Sequence, residues 1–136
     1  MSAAIQPPRD PAGGLPEALG IELLDADGEV ARGRIAVADR ILQPYGIVHG
    51  GTYAALAETV ASTATHLFVA PDGKIAIGQS NDTTFLRPVT KGHIEARASA
   101  RHRGRTTWVW DVEMSNDDGR LCALSRVTVA VREASR

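Results

Sequence analysis

The sequence predicts an α+β fold in which one long helix packs against an antiparallel sheet of five to six strands. Only one stretch, residues 50–69, carries apolar residues at helical spacing over many turns. The segments on both sides alternate between apolar and polar residues, as strands do, and the breaks between them are short. Short connections favour antiparallel neighbours. The 136 residues have the length of one domain, which we place at residues 15–136.

The first predicted element follows a tail. Residues 1–14 hold three prolines and two glycines without periodicity, so we expect them to be flexible. Leu15–Gly20 predicts one helical turn, with proline near its start and glycine at its end. Two strands, Ile21–Leu24 and Glu29–Ala38, are predicted around a turn at residues 25–28.

The long helix is predicted from Gly50 to Val69. Leu56, Val60 and Ala64 recur on one face, and Pro71-Asp72-Gly73 ends the pattern. The helix is rich in alanine and small hydroxyl residues, so other elements can approach it closely on several sides.

Four strands are predicted after the helix, separated by breaks with glycine in each. Their ranges are Lys74–Pro88, His93–Arg103, Thr106–Ser115 and Arg120–Arg132. We expect them to form a meander in chain order, with a bulge near Ser80 in the long first strand.

Composition and charge exclude several classes of protein. The net charge of −1 disfavours a dedicated nucleic-acid binder, and no apolar stretch is long enough to span a membrane. The start of the chain does not resemble a signal peptide, and the single cysteine, Cys122, fits a reducing compartment. We therefore expect a cytoplasmic protein without nucleic-acid or membrane partners. No cysteines and histidines have metal-ligand spacing, so no metal site is predicted.

The start of the long helix is the sharpest candidate site. It reads His49-Gly50-Gly51, and the first turn of a helix offers backbone N–H groups that have no partner within the helix. Glycine lets a ligand oxygen approach those groups, which makes an oxyanion site. The alternative is that the two glycines only pack the helix against a sheet.

Glu58 is the second candidate, because it lies two turns into an otherwise apolar and hydroxylic helix. Ser62 follows one turn later. A carboxylate beside a hydroxyl can hold and deprotonate water, or attack a carbonyl itself. The alternative is an ordinary surface glutamate.

The spacing of these candidates favours a dimer. Gly50 and Glu58 are roughly 12 Å apart along one helix, whereas an oxyanion donor and an attacking group must meet at one carbon. Two antiparallel helices from two subunits would satisfy this condition, so the sequence indicates a site shared across a two-fold interface.

A basic segment at a predicted hairpin is the third candidate. It runs from Arg101 to Arg105, and Arg87 precedes it at some distance. Arginines pair well with phosphate oxygens, although a solvated turn explains the same residues.

These features together resemble the hot-dog-fold thioesterases, in particular the branch typified by phenylacetyl-CoA thioesterase and the glutamate-type 4-hydroxybenzoyl-CoA thioesterase. The resemblance extends from Leu19 to Val131. Its central motif is His49-Gly50-Gly51 followed by Leu56, Glu58 and Ser62, and the segments 43–46 and 81–88 support it.

The resemblance implies a curved sheet wrapped around one central helix, in dimers that commonly pair into tetramers. It implies hydrolysis of an acyl-CoA to the free acid and coenzyme A, without a cofactor. It implies that Glu58 is the catalytic carboxylate and that the Gly50 N–H polarises the thioester carbonyl, with help from the Gln43 amide. It also implies that His49 supports the loop and that the Ser62 hydroxyl positions water. The residues it implies for coenzyme A contact are Arg87, Arg103, Arg105 and Thr106.

Two other functions are compatible with this pattern. A hot-dog dehydratase or hydratase would need a histidine and an acid at the carbon next to the carbonyl. A non-catalytic acyl-CoA-binding domain would bind the same ligand without turnover.

Overall fold

Helix α2, Gly50–Val69, is the element around which the chain is built. The computed structural model describes residues 13–134, so most of the predicted tail lies outside the described residues. The other elements are α1 (Leu15–Leu19) and strands β1 (Ile21–Ala26), β2 (Val30–Ala36), β3 (Lys74–Phe85), β4 (His93–Arg103), β5 (Thr107–Ser115) and β6 (Leu121–Glu133). Each matches a predicted element to within a few residues.

The apolar face of α2 forms the centre of the core. Leu56, Val60 and Ala61 are fully buried, and they pack against the concave face of the sheet. A side chain at Gly33 of β2 would lie 2.5 Å from Val60, so the strand contacts the helix directly at that position. The small residues of α2 therefore permit the close approach that their composition predicts. After α2, Gly73 reverses the chain in the left-handed region, with φ of 73°.

A buried hydrogen-bond chain also joins the helix to the sheet. The indole N–H of Trp110 donates to Thr65 Oγ1 at 2.9 Å, and Thr65 Oγ1 donates to the Ala61 carbonyl at 2.8 Å. These hydrogen bonds attach the fourth and fifth turns of α2 to β5.

All six strands form one antiparallel sheet in the order β1-β2-β4-β5-β6-β3. The predicted meander in chain order is therefore wrong for one strand, because β3 pairs with β6 and not with β4. The connection at residues 86–92 explains the difference. It leaves the β6 side of the sheet, passes the start of α2 where the Val48 N–H donates to the Val89 carbonyl, and enters β4 on the other side.

Strand β3 consequently forms one edge of the sheet, beside the face of α2 that carries Glu58. It contains the predicted bulge, one residue earlier than expected: Gly78 pairs with Val129 and Ser80 with Thr128, which leaves Gln79 unpaired. Within residues 13–134, no helix is long and apolar enough to cross a membrane.

Candidate active site

The start of α2 is held by the histidine of the motif. His49 Nδ1 accepts a hydrogen bond from the Gly51 N–H at 2.8 Å, and the His49 carbonyl accepts one from the Thr52 N–H. The His49 N–H in turn donates to the Ile41 carbonyl, which anchors the loop. His49 is thus the N-cap of the helix.

These contacts leave one donor of the first turn unused. Within the described residues, no acceptor pairs with the Gly50 N–H. The ring of Phe85, from the end of β3, covers the α-carbon of Gly50 so closely that a side chain there would lie 2.6 Å from the ring. A side chain at position 50 would therefore have to displace the Phe85 ring.

Gly50 lines a cavity of about 390 Å³ that we call the Gly50 cavity. Its wall is mostly apolar and is formed by the loop before α2, by the first turn of the helix and by the segment after β3. Gln43 lines it, and its side-chain oxygen accepts a hydrogen bond from the Tyr45 N–H. Arg87 lines the same cavity and is exposed, so a phosphate or pantetheine group in this cavity could reach it.

Tyr53 is a residue of this cavity that the sequence did not single out. Its hydroxyl is buried and has no hydrogen-bond partner within residues 13–134. Burial raises the pKa of Tyr53 to about 12, so the phenol stays protonated at neutral pH.

Glu58 lies in a different cavity, of about 620 Å³, that we call the Glu58 cavity. One wall is the small-residue face of α2 and the opposite wall is β3, with Leu15 and Pro16 of α1 at the margin. Ser62 lines this cavity one turn after Glu58, and its Oγ is buried without a partner among the described residues. Glu58 is exposed, whereas the Ser62 hydroxyl is buried, so the two side chains differ in their access to solvent.

The Gly50 cavity and the Glu58 cavity share no lining residue. The candidate oxyanion donor and the candidate acid of one subunit therefore lie apart. This agrees with their predicted separation along the helix. Both cavities are bordered by β3: Phe85 lies at one and Gly78 at the other.

The predicted phosphate-binding residues on the β4–β5 turn lie outside both cavities. Arg103 stacks over the rings of Phe68 and Trp108, at 5.4 and 5.7 Å from their centroids, and donates to the Gly28 carbonyl at 3.3 Å. Arg105 and Thr106 are exposed on the turn. Any contact of Arg103 with coenzyme A has to compete with its stacking interactions.

Asn81, which lines the Glu58 cavity, connects β3 to α2. Its side-chain nitrogen donates to the Ala54 carbonyl at 2.9 Å, and its oxygen accepts from the Thr83 hydroxyl at 2.6 Å. The Thr83 hydroxyl also hydrogen bonds to Ser125 Oγ at 2.7 Å. The spacing between strand and helix is therefore set by hydrogen bonds one turn before Glu58.

Comparisons with known proteins identify the family. The sequence model of the thioesterase superfamily matches residues 45–123. The proofreading thioesterase EntH of Cronobacter turicensis is 34% identical, over 88% of this chain and 86% of that protein. The 1,4-dihydroxy-2-naphthoyl-CoA hydrolase of Listeria monocytogenes is 32% identical, over 88% of this chain and 97% of that protein.

Solved structures agree with these relatives. A mutant thioesterase from Pseudomonas aeruginosa superposes with a TM-score of 0.82 at 36% identity, covering 86% of this chain and 84% of that one. The E. coli PaaI protein from the phenylacetic acid degradation operon superposes with a TM-score of 0.78 at 29% identity, covering 88% and 85%. With its curved six-stranded sheet around one helix, the chain belongs to the hot-dog thioesterase superfamily and is a thioester hydrolase.

Proposed function

We propose that this chain hydrolyses acyl-CoA thioesters, aryl-CoA thioesters among them, at active sites that two subunits share. The observation that carries the proposal is the separation of Gly50 and Glu58 into two cavities along the same sheet edge. The name of the Listeria relative supports an aryl-CoA substrate.

In this proposal the Gly50 N–H polarises the thioester carbonyl, assisted by Gln43, while Glu58 of the other subunit acts on the opposite side. As a general base, Glu58 takes a proton from water while the water oxygen attacks the carbonyl carbon. The carbon–sulfur bond then breaks, and the coenzyme A thiolate receives the proton. Ser62 would hold that water.

As a nucleophile, Glu58 would attack the carbonyl carbon directly and expel the thiolate, leaving an anhydride that water hydrolyses. Both routes give the free acid and coenzyme A. Single turnover in oxygen-18 water tests for the anhydride, because label found in Glu58 requires water attack on the enzyme's carboxyl carbon. Label in the product acid alone fits the general-base route and also water attack on the acyl carbon of the anhydride.

Strand β3 is the element through which we propose that two subunits meet. It is long, and within residues 13–134 it pairs with β6 alone, so its outer edge presents backbone groups without a strand partner there. Antiparallel pairing of β3 with a second copy generates a two-fold axis. With Asn81 and Asp82 at that axis, Gly78 of one copy lies opposite Phe85 of the other, which brings each Glu58 towards a Gly50.

The function of the Gly50 N–H can be tested by replacing Gly50 with proline, which has no N–H. Gly50 is the first residue of α2, where proline is tolerated, and His49 has φ of −63° and ψ of 134°, which a following proline accepts. Gly50→Pro should lower kcat/KM for thiol release by roughly 10²-fold or more. Gly50→Ala is the matched control, since it adds the same contact with Phe85 but keeps the N–H.

The substrate assay should compare aryl, short-chain and long-chain CoA thioesters, with Glu58→Ala as the inactive reference. Equal rates for Gly50→Pro and Gly50→Ala would contradict the oxyanion role. Undiminished turnover by Glu58→Ala would contradict the mechanism as a whole, and hydration of an enoyl-CoA without thiol release would favour the dehydratase alternative.

A further inference from the structure

Gly78 contacts the candidate catalytic carboxylate more closely than any side chain would allow. A β-carbon built at Gly78 would lie 2.8 Å from Glu58 Cδ, 2.9 Å from Oε2 and 3.1 Å from Cγ. Real β-carbons do not approach other atoms that closely. The carboxyl group of Glu58 therefore occupies the space that a side chain at position 78 would need.

The backbone does not explain why this residue is glycine. Gly78 is absent from the glycines with positive φ, so its conformation is open to any residue. Glycine within a strand weakens it and commonly marks a close approach of another group. Here that group is Glu58, and the contact falls beside the unpaired Gln79, where the strand bends.

The two elements that enclose this space, β3 and α2, are joined by hydrogen bonds. Asn81 bonds to the Ala54 carbonyl one turn before Glu58 and is itself held by Thr83 and Ser125. Strand and helix therefore cannot separate easily to make room for a larger residue. The Glu58 side chain, in contrast, forms no ion pair or hydrogen bond with another described residue that would restrain its carboxylate.

We propose that Gly78 is a positioning residue: the space it leaves at the β3 bulge sets where the Glu58 carboxylate stands. This inference rests on the proposed function of Glu58. A methyl group at position 78 displaces the flexible end of Glu58, which costs the fold little and moves the reacting oxygen. A displacement of about 1 Å is enough to lower a rate by about 10²-fold.

The test is Gly78→Ala, measured for thiol release and thermal unfolding. We expect kcat to fall by roughly 10-fold or more with KM changed less than threefold, and the melting temperature to stay near the native value. Gly33→Ala is the matched control, because it presses a methyl group onto Val60 on another face of the same helix. It should lower the melting temperature while the folded fraction keeps its kcat.

A double-mutant cycle shows whether the loss acts through Glu58. Glu58→Asp shortens the acid by one methylene, so it should cost clearly less activity in the Gly78→Ala background than in the native one. Additive losses, or a Gly78→Ala kcat within twofold of native, would overturn the positioning role. Glu58→Ala separates the two proposals: if it is inactive while Gly78→Ala is normal, only the inference about Gly78 fails.

Discussion

Some residues on the outer face of the sheet form ion pairs with residues of neighbouring strands, and Asp111 is the clearest case. Arg126 donates to both of its carboxylate oxygens, at 2.7 and 3.0 Å, and Arg101 lies at 3.5 Å. The Arg126 hydrogen bonds hold the pKa of Asp111 below its usual value of 3.8. A lowered pKa in the folded state means that the ionised carboxylate stabilises the fold.

That stabilisation has a defined pH dependence. It is fully present above pH 3.8 and is lost as the pH falls through the folded-state pKa of Asp111. We expect Asp111→Asn to melt a few degrees below the native protein at pH 7, and the two melting temperatures to converge in more acidic buffer. Glu113→Gln, on the same strand, is the control and should show no such difference. A gap that persists undiminished below the folded-state pKa would contradict the assignment.

Residue identities were only partly predictable. The sequence indicated Glu58, Gly50 and Ser62 because their types and spacing suit the chemistry. Gly78 was missed because a single glycine in a strand does not reveal which side chain approaches it. The contact of Arg103 with coenzyme A stays a prediction. Its stacking on Phe68 and Trp108 could not be predicted, because these contacts join distant parts of the chain.

At the scale of elements, the attachment of α2 to β5 depends on the Trp110–Thr65–Ala61 hydrogen bonds. Thr65→Val keeps the shape but leaves the buried indole N–H of Trp110 without an acceptor. We expect a loss of about 1–3 kcal/mol in the free energy of unfolding, measured by urea denaturation. In a Trp110→Phe background that donor is gone, so the same Thr65→Val change should cost less. Equal costs in both backgrounds would show that the indole bond contributes nothing.

The bounds and types of the elements could be predicted from the periodicity of apolar residues, whereas the order of the strands in the sheet could not. Hydrophobic spacing reports on each segment alone, so it located α2 and all six strands. The pairing of β3 with β6 depends on where the connection at residues 86–92 crosses the start of α2. That crossing is a property of the packed chain, and the meander prediction had no local signal to reveal it.

At the scale of the whole molecule, the proposed shared site predicts that two inactive variants restore each other. In a hybrid of Glu58→Ala and Gly50→Pro subunits, one site combines the intact Gly50 of the first with the intact Glu58 of the second. Mixing after subunit exchange should therefore recover roughly a quarter of native activity, since half the dimers are hybrids with one good site of two.

Sites contained within one subunit would give no recovery in this mixture. Native mass spectrometry of the same mixture confirms that hybrids have formed, so absence of activity in their presence would contradict the shared site.

The position of β3 also has a consequence for biosynthesis. Its neighbour in the sheet, β6, leaves the ribosome after the other strands of residues 13–134. Until then, β3 has two open edges, and its long backbone is available to other nascent chains. The contact between Gly78 and Glu58 joins β3 to α2, so the geometry of the candidate site depends on a strand that has no partner in the sheet until β6 is made. Chains that stop before β6 should therefore be prone to aggregate rather than partly active.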